Sequence, residues 1–305
     1  MSIHLRPFSI LLIGVLLAPL LLTGSAWGQS EAPTSPPVVT VVASDSSLNL
    51  QDDVPSGWVT FRLENEGSQH HSFKLRKLPD DQTFADYQSG LLAPADSFEK
   101  ALVRGRIDTA TYQRELKNRV PRWFEKVTTV GGITGLAPGR TAEITHELDA
   151  GEYVLSCLFK TPENRTHALL GVSTGLTVTD DSTGATPPSA DVTARLSKDA
   201  FEVDTTALSD EQVVKFRSED VRAGTGSPFV GLFRLTDETD ADGVVAWMKT
   251  GIPLPAPVEW IGGPEPMPEG DTAYVRVGDL PPGRYAWITE KAPETSGMVK
   301  TFTVE

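Results

Sequence analysis

Hydrophobic positions along this chain fall into short runs broken by Gly, Pro, Asp and Asn, the rhythm of strands rather than of long helices. Val38 to Ala43 is one such run. Trp58 to Leu63 and Phe73 to Leu78 alternate or cluster apolar residues, and Tyr153 to Phe159 and Leu176 to Val178 follow the same habit. Short β-branched and aromatic runs between turn residues predict an antiparallel sandwich. One stretch departs from this. Between Asp81 and Val127 the apolar spacing becomes helical, and Ser97, Asp108 and Thr109 are the N-cap candidates. This insert is expected to be a helix hairpin covering one sheet edge. Its eight Lys or Arg between Lys100 and Lys126 outnumber its acids, which makes a docking face the rival reading.

The pattern repeats. GGITGLAPGRTAEI from Gly131 matches GGPEPMPEGDTAYV from Gly262, and LDAGEYVLSC from Leu148 matches LPPGRYAWIT from Leu280. Gly171-Val172 leads to Leu176-Thr177-Val178 as Gly297-Met298 leads to Phe302-Thr303-Val304. FKLRKLPDDQTFAD from Phe73 matches VGLFRLTDETDADG from Val230. Four blocks in one order mean a duplication. The copies are placed at 36–180, with the insert at 81–127, and at 191–305, with the DSTGATPPSA linker at 181–190 between them.

Composition narrows the setting. Arg6, the apolar run Phe8 to Leu22 and the small residues of Ala26-Trp27-Gly28 have the form of a secretory signal spanning residues 1–28. The apolar run is short for a bilayer span. A chain cleaved there is expected in the periplasm or outside the cell, with no membrane insertion. The formal net charge of −14 makes nucleic acid and anionic membrane poor partners. Cys157 is the sole cysteine, so no internal disulfide frames the fold. No GxSxG elbow and no phosphate-cradling loop are present. Gly131-Gly132 and Gly262-Gly263 are expected to be turns, and His146, in ITHELD, is expected to be exposed.

The order of elements, with the phrase GEYVLSC followed by a His and then Gly-Val, resembles the cupredoxin family. The resemblance covers nearly all of Val38 to Val178 and, without ligands, Asp191 to Glu305. It implies an all-β protein of two cupredoxin-like Greek-key β-sandwiches, the first with the helical insert. It also implies at most one copper site, because such domains hold a blue copper ion with a His from an early strand, then a Cys and a second His near the last strand. The Asn65-Glu66-Gly67-Ser68-Gln69-His70-His71 stretch resembles the one that delivers the first ligand. Period 2 puts His71, Phe73 and Leu75 on one face, which favours His71, whereas counting from Gly67 favours His70. Cys157 and His167 complete the set, and Val172 takes the axial position usually given to Met. Nine residues separate Cys157 from His167, where the family places only a few. In the second copy Pro228, Thr289, Pro293 and Met298 stand at the positions of His71, Cys157, His167 and Val172.

These residues imply a type 1-like copper site for one-electron transfer or copper holding, with a redox protein as partner and no substrate turned over. No His follows His167, so the histidines of a second, catalytic copper centre are missing. Copper delivery would use the same three residues. The alternative is a metal-free tandem sandwich that binds a partner or scaffolds an envelope assembly.

Overall fold

The computed structural model describes residues 35–51, 53–221, 227–291, 295 and 298–305. The leader at 1–28 and Pro293 lie outside the described residues. Eight strands build the first half: β1 (Val38–Ser44), β2 (Ser47–Asn49), β3 (Asp53–Asn65), β4 (His71–Lys77), β5 (Thr128–Leu136), β6 (Thr141–Leu148), β7 (Gly151–Ser156) and β8 (Ser173–Ser182). The second half holds β9 (Val192–Leu196), β10 (Phe201–Glu202), β11 (Gln212–Ser218), β12 (Val230–Arg234), β13 (Glu259–Gly262), β14 (Thr272–Val277), β15 (Gly283–Thr289) and β16 (Val299–Val304).

The pairings repeat with the sequence. In the first half β2, β1, β3 and β6 form one sheet, with β1 parallel to β3, and β5, β4, β7 and β8 form the other. In the second half β10, β9, β11 and β14 form one sheet, with β9 parallel to β11, and β13, β12, β15 and β16 form the other. The same arrangement of two four-stranded sheets is thus laid down twice. Alternation builds each interior: Val39, Val41 and Ala43 of β1 and Val59, Phe61 and Leu63 of β3 point inward and are fully buried.

The two halves meet edge to edge, each strand beside its own counterpart. Across β6 and β14, Ile144 faces Val275, which occupies the matching place in the repeat, while Glu143 faces Arg276 and Thr145 faces Tyr274. On the other sheet Ile133 bridges its counterpart Pro264. The Thr134 amide donates to the Gly263 carbonyl at 2.9 Å, and the Glu265 amide donates to the Gly132 carbonyl at 3.0 Å. Such reciprocity is the signature of an isologous, two-fold contact. Gly132 and Gly263 are also points of close packing inside each half. Both have left-handed backbone, φ +125° and +122°, and a Cβ on either would lie 2.0 Å from the carbonyl oxygen of Phe73 or Val230. They are therefore not the turns expected from the sequence; Gly132 lies inside β5 and Gly263 directly after β13. Ion pairs add to the seam, Arg140 with Glu259 at 2.5 Å and Lys74 with Glu265 at 3.2 Å.

The insert contains α1 (Phe84–Tyr87), α2 (Ala93–Val103) and α3 (Thr109–Arg119). It covers a sheet face and not the expected edge. Tyr153 and Leu155 of β7 point into the sandwich, so Val154 between them points out, where it clusters with Leu78, Tyr87, Phe84, Leu92 and Trp123. Asp108 caps α3, accepting from the Thr111 amide at 2.7 Å. Ser97 caps nothing: it sits inside α2, its hydroxyl donating to the Ala93 carbonyl at 3.1 Å. The cap at the start of the insert is Thr83, in a reciprocal box with Asp86.

Candidate metal centre

Three strictly buried side chains converge at one end of the first sandwich. His71 opens β4 on the inward face it shares with Phe73 and Leu75. Cys157 directly follows β7, on the inward face of Tyr153 and Leu155, and its amide donates to the Val172 carbonyl at 3.0 Å. His167 begins a short 3-10 helix, His167–Leu170. The intervening residues run out and back: Lys160 bridges Thr166, and the Thr161 amide donates to the Arg165 carbonyl at 2.8 Å. The His167 amide then donates to the Phe159 carbonyl at 2.8 Å, and the Ala168 amide to the Cys157 carbonyl at 2.8 Å. The surplus length is absorbed by a hairpin, and His167 returns to the place a shorter loop would give it.

The donor atoms meet. His167 Nδ1 lies 3.3 Å from His71 Nδ1 and 3.5 Å from Cys157 Sγ. All three donors lie within 4.8 Å of one another, the only such group among the described residues. One ion bound at about 2.0–2.3 Å by nitrogen and sulfur holds its donors roughly 3.3–3.8 Å apart; the 3.3 and 3.5 Å spacings fall in that range, and the remaining pair, within 4.8 Å, would draw in around a single small ion.

Hydrogen bonds choose the tautomers. His71 Nε2 faces Asp45 Oδ1 at 3.2 Å, and because a carboxylate only accepts, Nε2 carries the proton and Nδ1 keeps a lone pair. His167 Nε2 is buried without a partner in either tautomer; with its proton on Nδ1, His167 donates to His71. With its proton on Nε2, it turns two lone pairs toward each other at 3.3 Å. A cation between the Nδ1 atoms resolves the second arrangement, and two imidazoles with one thiolate are the donor set of trigonal copper sites. The residues present fit a copper ion.

Charge is tuned to the same end. Burial lowers the His71 pKa, working against its Asp45 partner. Burial and the neighbouring His71 push His167 down to about 4, so both rings stay neutral and able to ligate. Burial raises the Cys157 pKa, opposed by hydrogen bonds from Ser72 and from the Phe159 backbone, so the thiol needs a cation beside it to ionise. Asp45 loses some hydration, yet bonds from the Ser68 side chain, His71 and the Ser68 and Gln69 amides hold it at about 2. It is an anion at all ordinary pH values. Val172 is fully buried and offers no donor atom.

His70, the other candidate for the first ligand, is nearly buried but stands outside the trio. His146 is not exposed, as the sequence led one to expect. It is 2% exposed, because it shares the inward face of β6 with Ile144 and Leu148 and lies against Gly131 and Gly132 of β5. Its Nε2 accepts from the Gly132 amide at 3.2 Å. In the second half Thr289 is buried and its amide donates to the Met298 carbonyl at 3.1 Å, just as Cys157 does to Val172, but Thr289 supplies no thiolate. Asp45 escaped notice in the sequence, since it lies on a β1–β2 turn with no motif around it. Glu99 of the insert escaped too.

The strand order and the buried His–Cys–His pocket agree with the resemblance to cupredoxins, and the pocket is a candidate copper centre. No protein-family model matches the chain, and no curated protein matches it. Solved structures do. An auracyanin from the photosynthetic bacterium Roseiflexus castenholzii is 18% identical, over 48% of this chain and 99% of that one, at a TM-score of 0.29. A multicopper oxidase is 11% identical, over 90% of this chain and 93% of that one, at a TM-score of 0.25. A copper nitrite reductase from Nitrosomonas europaea is 12% identical, over 89% of this chain and 94% of that one, at a TM-score of 0.25. The last two correct one expectation. From the sequence the chain was expected to turn over no substrate, and the matched structures that span both halves are named as an oxidase and a reductase, so that exclusion is withdrawn.

Proposed function

We propose that the chain is an exported protein that binds one copper ion through His71, Cys157 and His167 and uses it in one-electron transfer. The convergence of the two Nδ1 atoms and Sγ in a pocket closed to water carries this reading. When bound, copper supplies a one-electron couple whose exchange a thiolate ligand makes fast. The chain's own residues do the rest. His71 and His167 present neutral lone pairs, Asp45 holds the His71 ring by its far nitrogen, and Ser72, whose hydroxyl lies 3.5 Å from Cys157 Sγ, supports the thiolate. Rigid β4 and β7 keep those groups in place whichever charge they face, which keeps reorganisation small. A redox protein is the partner this function requires. Export rests on the 1–28 leader; no helix among the described residues is long and apolar enough to cross a membrane.

Voltammetry of the copper-loaded full chain tests the proposal. The expected result is a reversible one-electron wave that disappears in Cys157→Ser. A loaded protein with no reversible wave overturns the electron-transfer role.

A further inference from the structure

The first half differs from the second in two places, the helical insert and the long loop between Cys157 and His167, and these two features touch. Glu99 of α2 is a charged residue with no exposed surface. Its Oε2 accepts from the Thr166 amide at 2.9 Å and from Arg165 Nε at 3.1 Å, and its Oε1 accepts from the Thr166 hydroxyl at 2.6 Å. The Lys160 ammonium stands 3.8 Å away. Arg165 also pairs with Asp96, one turn earlier on the same helix. Every one of these partners belongs to the loop, and the last of them, Thr166, is bonded directly to His167.

Thr166 shows the direction of the effect. It is the N-cap of the 3-10 helix that begins with His167, a position where a Thr hydroxyl normally bonds the helix's own amides. Here no side-chain cap forms, and both the hydroxyl and the amide are given to Glu99. A buried carboxylate tolerates its site only while its donors stay in place. Movement of the loop by an ångström would strand the charge, so the carboxylate holds the loop to one geometry. The second half has the shorter helix α4 (Ala241–Met248) in place of the insert, and Thr289 in place of the cysteine.

We infer that the insert is a positioning device for the metal pocket, with Glu99 as the positioning residue that fixes His167 through Thr166 and Arg165. The inference rests on the copper reading for its spectroscopic arm only.

The test uses the full chain and the variants Glu99→Ala and Thr166→Val, the second removing only the hydroxyl. Without metal, hydrogen exchange should quicken about tenfold or more at the Thr166, His167 and Ala168 amides in Glu99→Ala, while β5 and β6 keep their protection. With Cu(II), the thiolate-to-copper absorption should change in energy or intensity ratio, and affinity should fall about tenfold. Thr166→Val should move both readouts the same way by less, and it decides the matter if Glu99→Ala does not fold. Wild-type exchange at 166–168 and a wild-type copper spectrum in the variants would overturn the inference. A wild-type protein with no thiolate-to-copper band would sink the copper reading instead, and the exchange arm would still judge Glu99.

Discussion

Lowering the pH should weaken this protein through one residue outside the metal pocket. His146 is buried between β6 and β5, where it accepts from the Gly132 amide, and burial depresses its pKa from 6.5 to about 4. The folded chain therefore excludes a proton that the unfolded chain accepts. A base whose folded pKa is lowered contributes full stability above its unfolded value of 6.5 and loses it progressively as pH falls toward about 4. At 1.36 kcal/mol per pH unit, that interval amounts to about 3 kcal/mol. The assay is urea unfolding of the metal-free full chain at several pH values between 7 and 4, for wild type and His146→Gln. Glutamine keeps an acceptor for the Gly132 amide but does not titrate. Wild type should lose about 3 kcal/mol more than the variant over that range. Parallel curves for the two proteins would refute the reasoning, since they would mean that His146 takes up its proton in the folded state without cost.

Two further outcomes follow from the geometry. Asp45→Asn removes the carboxylate that fixes the His71 tautomer and should weaken Cu(II) binding roughly ten- to a hundredfold, read by competition with a chelator of known affinity; unchanged affinity would show that Asp45 is a mere loop tie. Gly132→Ala sets a Cβ against the Phe73 carbonyl oxygen in left-handed backbone and should cost on the order of 3 kcal/mol of stability in a urea titration; a cost under about 1 kcal/mol would mean that the β4–β5 pairing adjusts freely.

Much of the fold was legible because β-sandwiches write themselves locally. Alternation along Val38 to Ala43 and Phe73 to Leu78 marks β1 and β4, and the duplication of the Gly131 and Leu148 blocks announces the duplicated pairings. The same alternation singles out His71 over His70 as the inward ring. The errors arise where local pattern is silent about what a residue packs against. His146 looked solvated because Glu147 beside it is, yet it shares the inward face of β6 with Ile144 and Leu148 and lies against β5. The paired glycines looked like turns because Gly-Gly usually marks one, whereas here φ > 0 lets neighbouring strands approach closely. Ser97 has the chemistry of a cap but lies mid-helix. The contacts of Asp45 with His71 and of Glu99 with Thr166 join residues 26 and 67 positions apart, and no spacing rule reaches that far.

Stoichiometric addition of Cu(II) to the metal-free full chain bears most directly on the central claim. One equivalent per chain should produce an intense visible thiolate-to-copper absorption, lost in Cys157→Ser and lost or displaced in His71→Ala and His167→Ala. A colourless complex, or the same colour in Cys157→Ser, would show that the three side chains meet for some other reason than holding copper.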